Sequence, residues 1–501
     1  MLNSKAPSRQ VLRKQKRGQQ KEIERQINKE KDNFHRICYI LNNLLSQEVI
    51  NKIAIKTKVL KRNRKLSSHV LFSILWAGCL MESHAESILP LERMCIFIKN
   101  WFEIEIKPQS LQEKINTKNT AAFIKAIMAE VMKAELNKKL RKILKPNGSK
   151  LLFRRILFED STVVSLPETM KRIFKGCGGA ASQAAVKFNF IIDQNSHHIV
   201  QMRLVGGSTP DSSLSGDILQ SIEEEDLLIR DLGYFNLSAL SKMISMKNVY
   251  YLSRLSKTVN VYLSKDCETQ IDLIDYLKKK GIEKEGIDIE VFIGKTERLP
   301  VRLIAIKVPD EVKEARRKRY KAKNKKEPAD DLLEWNGYTL MITNISKEKL
   351  SLNSLLIIYK ARWKIELFFK NMKSHICVDR LTGHNKYRML CLIYIKATIT
   401  LVATILYSYA QLINRGGKEV SLFKFTKWLK DEGRLMRAFI TSEYATLLVE
   451  LENNINYLCM QNRKKDKSVW KEAEKALKYT ADIKKKAWRV TEYTEDVKKA
   501  A

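Results

Sequence analysis

The sequence predicts a mixed α/β protein in which an α/β core is interrupted by a β-rich insertion and flanked by helical N- and C-terminal regions. Three observations lead to this prediction. Apolar residues recur at helical spacing from about residue 33 to residue 140, as they do on amphipathic or buried helices. Residues 151–255 contain short apolar runs separated by turn residues, which is typical of strands. A basic region with further strand-like runs then follows before helical spacing returns near residue 351.

The composition indicates a globular protein with a polyanionic partner. The chain has 501 residues, of which 44% are hydrophobic, enough for two or three domains. It carries 92 Lys and Arg against 56 Asp and Glu, a formal net charge of +36, which favours nucleic acid or an acidic membrane surface as partner. Basic segments spread along the chain suit a long duplex contacted by several domains. These segments are 12–21, 58–65, 315–326, 461–467 and 484–489.

The cysteines and the N-terminal residues predict a cytoplasmic protein. Eight cysteines are scattered singly, without CxxC spacing and without a zinc pattern, so we expect reduced thiols. The N-terminal residues lack the apolar segment of a secretory signal. The segment ATITLVATILYSYAQLI (397–413) is apolar all round but slightly short for a membrane span, and Lys396 precedes it. We interpret it as a buried core helix rather than a membrane anchor.

Helical regions are predicted on both sides of the core. Residues 1–32 predict a basic arm, and residues 33–148 predict a helical domain suited to DNA binding. Within it, KPQSLQEKINTKNTAAFIKAIM predicts two helices joined by a polar turn, either a helix-turn-helix reader or an ordinary helical hairpin. KPNGSK (145–150) predicts the turn that ends this domain. Residues 416–501 predict a helical C-terminal region for dimerisation or DNA contact.

The predicted α/β core comprises residues 149–254 and 347–415. LLFRRILFED predicts a first strand that ends at Asp160, and DLLIRDLGYFN predicts a buried strand that ends at Asp231. The remaining predicted elements before the insertion are strands at 185–193, 198–207 and 248–255 and helices at 212–222 and 237–244.

The insertion is predicted over residues 255–346. Its strand signals are DIEVFIG, VRLIAIKV and GYTLMITN. Because ordinary connections are only a few residues long, a stretch of this size predicts a β-rich subdomain rather than a loop.

A predicted helix over residues 351–376 carries four polar residues on one face. At 100° per residue, Arg362, Glu366 and Lys373 fall within roughly 60° of Tyr359, and the apolar residues face the opposite side. A charged stripe is also typical of a solvent-exposed helix with intrahelical pairs such as Arg362–Glu366. The stripe alone therefore leaves a plain surface helix open.

Three carboxylates are predicted to converge on one metal site. Open α/β sheets place ligand sites at the carboxyl ends of strands, where Asp160 and Asp231 are predicted to lie, and Glu366 lies on the late helix. Two Mg²⁺ ions about 3.5–4 Å apart can clamp the attacking and leaving oxygens of a phosphodiester. Mg²⁺ prefers hard oxygen ligands and retains waters, so a few carboxylates suffice. These residues predict metal-dependent phosphodiester chemistry.

The motifs resemble those of the DDE transposases of bacterial insertion sequences, in particular the insertion-sequence-four group. EDST (159–162) resembles the first-aspartate motif of that group, and RDLGYFN (230–236) resembles the second. The group also has a Tyr-x2-Arg-x3-Glu-x6-Lys signature, and this chain matches it in type and spacing. The resemblance covers about residues 150–380, including the insertion, and implies a ribonuclease H-like catalytic core. The signature residues here are Tyr359, Arg362, Glu366 and Lys373.

The resemblance implies a DNA transposase that binds transposon ends and performs strand cleavage and strand transfer, through a hairpin intermediate. Asp160, Asp231 and Glu366 would be its catalytic residues and would hold two Mg²⁺ ions, for which Mn²⁺ can substitute. The implied partners are double-stranded DNA, as transposon ends and as target, and a second copy of the chain when paired ends are bound. No membrane partner is implied.

The resemblance also implies DNA-contacting residues. Base stacking is implied for an aromatic residue of the insertion, with Trp335 as the candidate and Tyr338 as its competitor. The residues expected to bind DNA phosphates are Tyr359, Arg362, Lys373 and Arg254, because arginine suits bidentate phosphate contact and lysine a point-charge contact.

Several polar residues near these motifs are not expected to bind metal. Asp211 in STPDSS is expected to cap the following helix, and Asp193 to lie in a hairpin turn. Glu159 is expected to point to the face of its strand opposite to Asp160. His197 and His198 are expected to be turn residues.

Two alternatives share the three carboxylates. A ribonuclease H-like nuclease or resolvase would use the same core without a domain that binds element ends. A DNA-binding protein derived from a transposase would retain the acids without using them.

Overall fold

The computed structural model describes residues 31–59, 66–81, 88–135, 152–179, 182–281, 286–381, 383–414, 418–460 and 469–478. The chain divides into two units, the first Met1–Lys145 with Asn371–Gln461 and the second Pro146–Lys370 with Asn462–Ala501. The predicted turn at 145–150, and all but the last two residues of the predicted arm, lie outside the described residues. The predicted domain limits stay predictions.

Several helices begin at polar capping side chains. Ser46, Ser67 and Asn236 each accept a hydrogen bond from a backbone N–H of the helix that follows, which satisfies a donor that the first turn leaves free. In chain order the helices are α1 (31–44), α2 (Gln47–Thr57), α3 (Ser68–Leu80), α4 (Leu91–Phe102), α5 (Pro108–Ile115), α6 (Lys118–Glu135), α7 (Asp211–Leu214), α8 (Leu237–Ser245), α9 (Leu273–Lys279), α10 (Asp310–Asn324), α11 (Asp330–Trp335), α12 (Leu352–Lys360), α13 (Trp363–Asn371), α14 (Lys386–Ile413), α15 (Leu422–Lys430), α16 (Arg434–Thr441), α17 (Tyr444–Leu458) and α18 (Val469–Lys478).

The described part of the first unit is built around α14. This helix is long and apolar enough to cross a membrane, yet 94% of its most apolar window is buried against the rest of the protein, α3 and α6 included. The buried Lys396 donates a hydrogen bond from Nζ to the Cys377 carbonyl at 2.7 Å. The prediction of a buried core helix is confirmed. The two helices predicted around the polar turn are α5 and α6.

The second unit contains one nine-stranded sheet. Its order is β3–β2–β1–β4–β5–β9–β8–β7–β6, in which β1, β4 and β5 run parallel to one another and every other pairing is antiparallel. Every residue of β2 and β4 is buried, as expected for central strands covered on both faces. The strands are β1 (Arg155–Leu166), β2 (Ala184–Asp193), β3 (His198–Gly206), β4 (Asp226–Arg230), β5 (Tyr250–Arg254), β6 (Val261–Tyr262), β7 (Ile287–Ile293), β8 (Leu299–Lys307) and β9 (Tyr338–Thr343).

The three strands predicted in the insertion are present as β7, β8 and β9. They belong to the same sheet as β1 to β5, because β9 pairs with β5 through Leu252 and Thr343. One apolar cluster joins Leu228 on β4 to Leu303 on β8 and Ile342 on β9.

Three predicted elements are wrong. The helix predicted at 212–222 is divided into α7 and a 3₁₀ turn at Asp217–Gln220. The first strand does not end at Asp160 but runs on to Leu166, because the β-branched residues that follow Asp160 pair in register with β2.

The helix predicted over 351–376 is divided into α12, α13 and a π-helical turn at Met372–Ile376. Around Ala361, backbone hydrogen bonds reach back three residues, so the four signature residues do not share one regular helix.

Candidate active site

The sheet places two of the predicted aspartates side by side. In the parallel pair β1–β4, Glu159 lies opposite Arg230, and Asp160 and Asp231 are the residues that follow these two. Asp160 lies in the middle of β1, whereas Asp231 directly follows the end of β4.

The turn between α12 and α13 brings three signature residues to these aspartates. Arg362 bridges two carboxylates, with Nη1 at 2.8 Å from Asp160 Oδ2 and Nη2 at 2.9 Å from Glu366 Oε1. The Tyr359 hydroxyl donates a hydrogen bond to Asp231 Oδ1 at 3.3 Å. The structure therefore gathers Asp160, Asp231 and Glu366 around one guanidinium and one phenol.

Apolar contacts hold α13 against the sheet. Phe368 and Phe369 lie with ring centroids 5.2 Å and 6.0 Å from the ring of Phe190 on β2. Ile365 is buried on the same helix. Because these contacts are made one turn from Glu366, they fix the position of its carboxylate relative to β1 and β2.

The site concentrates negative charge in a partly buried place. The pKa of Asp160 is raised to about 6, chiefly by burial. Arg362 and the Ser161 N–H oppose the shift, and the nearby carboxylates of Asp231 and Glu366 add to it. Burial, followed by the charge of Asp231, raises the pKa of Tyr359, so its hydroxyl remains a donor. Among the residues that the structure describes, no three or more His, Cys, Asp or Glu side chains are already arranged to hold a metal ion.

The remaining predicted DNA contacts lie at different places. Arg254 ends β5, and its charge lowers the pKa of Tyr359, which places it near the site. Trp335 ends α11 and packs, partly buried, against a cluster that includes the buried Tyr338. Lys373 lies in the π-helical turn of the first unit. Their roles stay predictions.

Asp211 does not cap a helix as predicted. Pro210 is the N-cap of α7, and the Asp211 carboxylate instead accepts hydrogen bonds from Lys187 Nζ at 2.7 Å and Ser161 Oγ at 2.9 Å. Asp211 thus holds Ser161, the residue that follows Asp160, in place. A Cβ at Gly233 would come within 3.2 Å of Asp211 Oδ2. Sequence reasoning missed Lys187 and Ser161, although a lysine inside the apolar run AVKFNFIID is itself a signal.

Glu159 is fully buried, and its Oε2 lies 2.6 Å from Nε of Arg230. Burial raises the pKa of Glu159 to about 7, and Arg230 opposes the shift.

Asp193 is wrongly predicted as a turn residue, because it ends β2, is buried and pairs with His198. Its carboxylate accepts hydrogen bonds from the Asn195 N–H and from Ser196 Oγ of the turn that follows. His198 is wrongly predicted as a turn residue, because it begins β3 and is buried.

The raised pKa of Asp160 predicts a pH-dependent contribution to stability. In the unfolded chain this carboxyl titrates near its ordinary value. Between about pH 4 and about pH 6, the folded state therefore binds more protons than the unfolded state. Its contribution to the unfolding free energy is complete at low pH and is lost as the pH rises through about 6. Relative to the wild type, the unfolding free energy of Asp160→Asn should rise by up to about 3 kcal/mol between about pH 4 and pH 8. Urea unfolding without divalent ions measures this difference. An unfolding free-energy difference that stays constant with pH would contradict this prediction.

Comparison with known proteins identifies transposases as proteins similar to this chain. A family model described as the transposase DDE domain matches residues 152–402. The chain is 25% identical over 439 residues to the transposase for insertion sequence element IS231E of Bacillus thuringiensis subsp. finitimus, covering 82% of this chain and 89% of that protein. It is 23% identical over 403 residues to the transposase for insertion sequence element IS1151 of Clostridium perfringens, covering 75% and 81%.

Proposed function

This chain belongs to the DDE transposase family, and from that premise we propose that it cuts and rejoins DNA at the ends of an insertion sequence. The proposed reactions are metal-dependent strand cleavage and strand transfer, through a hairpin intermediate. The observation that carries the proposal is the gathering of Asp160, Asp231 and Glu366 around Arg362.

The three carboxylates suit two Mg²⁺ ions, with Mn²⁺ as a substitute. All of their donor atoms are hard oxygens, which Mg²⁺ prefers. The carboxylates of Asp231 and Glu366 help to raise the pKa of Asp160, so the cluster holds more negative charge than the single guanidinium of Arg362 offsets. When bound, the ions would supply an activated water or hydroxyl and neutralise charge on the scissile phosphate.

Arg362 has two uses in this proposal. Without DNA, its guanidinium links Asp160 and Glu366 and keeps two like charges together. A guanidinium matches phosphate oxygens as well as carboxylate oxygens. On DNA binding, we expect Arg362 to turn to a phosphate near the scissile bond, which frees both carboxylates for the metal.

The other predicted DNA contacts would also bind DNA. The Tyr359 hydroxyl remains protonated and donates, so it can hold Asp231 before the reaction and a phosphate oxygen during it. Arg254 and Lys373 would add positive charge along the bound strand. Trp335 or Tyr338 would stack on an unpaired base.

We assign the half-sheet β3–β2–β1–β4–β5 to a ribonuclease H-like core and residues 255–346 to its insertion. Support comes from the strand order, with antiparallel β2 and β3 beside parallel β1, β4 and β5. The net charge of +36 suits double-stranded DNA as the partner, both as element ends and as target. Two copies of the chain would bind paired ends, with residues 416–501 as the candidate contact.

The test is cleavage of a labelled duplex that carries the element's own flanking ends. We expect Mg²⁺ or Mn²⁺ to support nicking followed by a hairpin product on a denaturing gel, and we expect EDTA to prevent both. Duplexes with scrambled ends serve as the control. Cleavage of scrambled and natural ends alike would favour the nuclease alternative. End-specific binding without cleavage would favour an inactive DNA-binding protein.

A further inference from the structure

Two buried ion pairs of opposite polarity join β1 to β4. Near the start of the strands, Arg155 on β1 donates from Nε to Asp226 Oδ1 on β4 at 2.9 Å. Near the end, Glu159 on β1 lies 2.6 Å from Arg230 on β4. The members of each pair are also direct partners in the strand register. All four residues are at most 5% exposed.

The arrangement of charges selects one register. Residues four apart on a strand face the same side of the sheet, so both pairs lie on one face. A shift of one residue would send one partner of each pair to the other face. A shift of four residues would place Arg155 beside Arg230, or Glu159 beside Asp226, so that like charges meet. Unpaired or repelling charges are strongly unfavourable in a buried place.

The pair at the end of the strands lies beside the metal-binding residues. Glu159 directly precedes Asp160, and Arg230 directly precedes Asp231. Arg230 is also fixed from the other side, because its Nη2 donates to the Ser215 carbonyl at 2.7 Å. Movement of either partner would move the backbone that carries a site aspartate.

We propose that Glu159 and Arg230 are positioning residues that fix the spacing between Asp160 and Asp231 and thereby set the metal affinity of the site. The proposal rests on the metal-dependent function proposed above. Outer partners of metal ligands commonly contribute 10–100-fold to metal affinity or activity. The Arg155–Asp226 pair, farther from the aspartates on the same two strands, provides the matched structural control.

The experiment compares Glu159→Gln with Asp226→Asn in the full chain. Mn²⁺ binding to the protein saturated with a pre-cleaved duplex of element ends is measured by electron paramagnetic resonance, with the same duplex alone as background. The Mn²⁺ dependence of end cleavage is measured at saturating DNA. We expect Glu159→Gln to weaken Mn²⁺ binding at least about 10-fold and to shift the cleavage curve equally, with DNA affinity unchanged. Asp226→Asn should lower the thermal unfolding midpoint but keep the wild-type Mn²⁺ affinity.

Each result decides the inference. Equal Mn²⁺ affinity in Glu159→Gln, Asp226→Asn and wild type, with all three cleaving, would overturn it and leave the proposed function intact. A wild type that neither binds Mn²⁺ nor cleaves would overturn both. If Glu159→Gln does not fold, the double variant Glu159→Leu with Arg230→Met removes both charges together, a replacement that buried pairs often tolerate. We expect that variant to fold with the same loss of affinity, and wild-type affinity in it would overturn the inference.

Discussion

Replacing Glu366 by glutamine should reduce Mg²⁺-dependent cleavage of element ends by at least about 10³-fold, equivalent to about 4 kcal/mol of transition-state stabilisation. The amide keeps the size of the side chain and an oxygen that can accept from Arg362, so the turn between α12 and α13 should hold. What is lost is the negative charge that would bind the metal in the proposed function. Single-turnover cleavage at saturating DNA measures the effect.

The control for this variant is Glu311→Gln, the same chemical change in the exposed first turn of α10. It should cleave at the wild-type rate. Glu366→Gln should also bind a duplex of element ends with nearly wild-type affinity, because a carboxylate and a phosphate carry like charges and do not attract each other. Equal cleavage by the two variants would mean that Glu366 is a surface residue whose ion pair with Arg362 has no catalytic use.

The residues of the site could be found from the sequence because their signals are local. Asp160 and Asp231 each follow a run of apolar strand residues, and Glu366 lies at a fixed spacing from Tyr359 and Arg362. The alternation and length of apolar runs also predicted the strands of the insertion. Such patterns depend on residues close together in the chain. They predict the structure because the apolar faces that they define are the faces that folding buries.

The errors arose where distant parts of the chain decide the structure. β1 continues beyond Asp160 because β2 offers hydrogen-bond partners as far as Leu166. Asp211 turns away from its own helix because Lys187, 24 residues earlier, provides a nearly buried positive charge. Tertiary pairing of this kind overrides capping preference. The Glu159–Arg230 pair was likewise outside the reach of sequence spacing, since it depends on the register of two parallel strands.

The sequence alone did not show that Arg362 bridges two carboxylates of the site. Removal of this bridge has two separable consequences. Arg362→Gln should reduce end cleavage by about 10²-fold or more, because it would remove the bidentate phosphate ligand of the proposed function. It should also move the acidic half-maximum of cleavage above about pH 6, because the positive charge of Arg362 lowers the pKa of Asp160. Asp160 must be ionised to bind metal, so activity is lost as the pH falls through its pKa.

Arg362→Lys separates these two effects. A lysine keeps the positive charge, so the pH midpoint should return towards the wild-type value. Cleavage should stay low, because an ammonium group does not reproduce the two-pronged geometry of a guanidinium. Arg203→Gln, which removes an arginine from the ion pair of β3 with Asp217, should change neither quantity. If Arg362→Gln kept the wild-type pH midpoint, the guanidinium would not control the charge of Asp160, and the bridge would serve only to hold α13 in place.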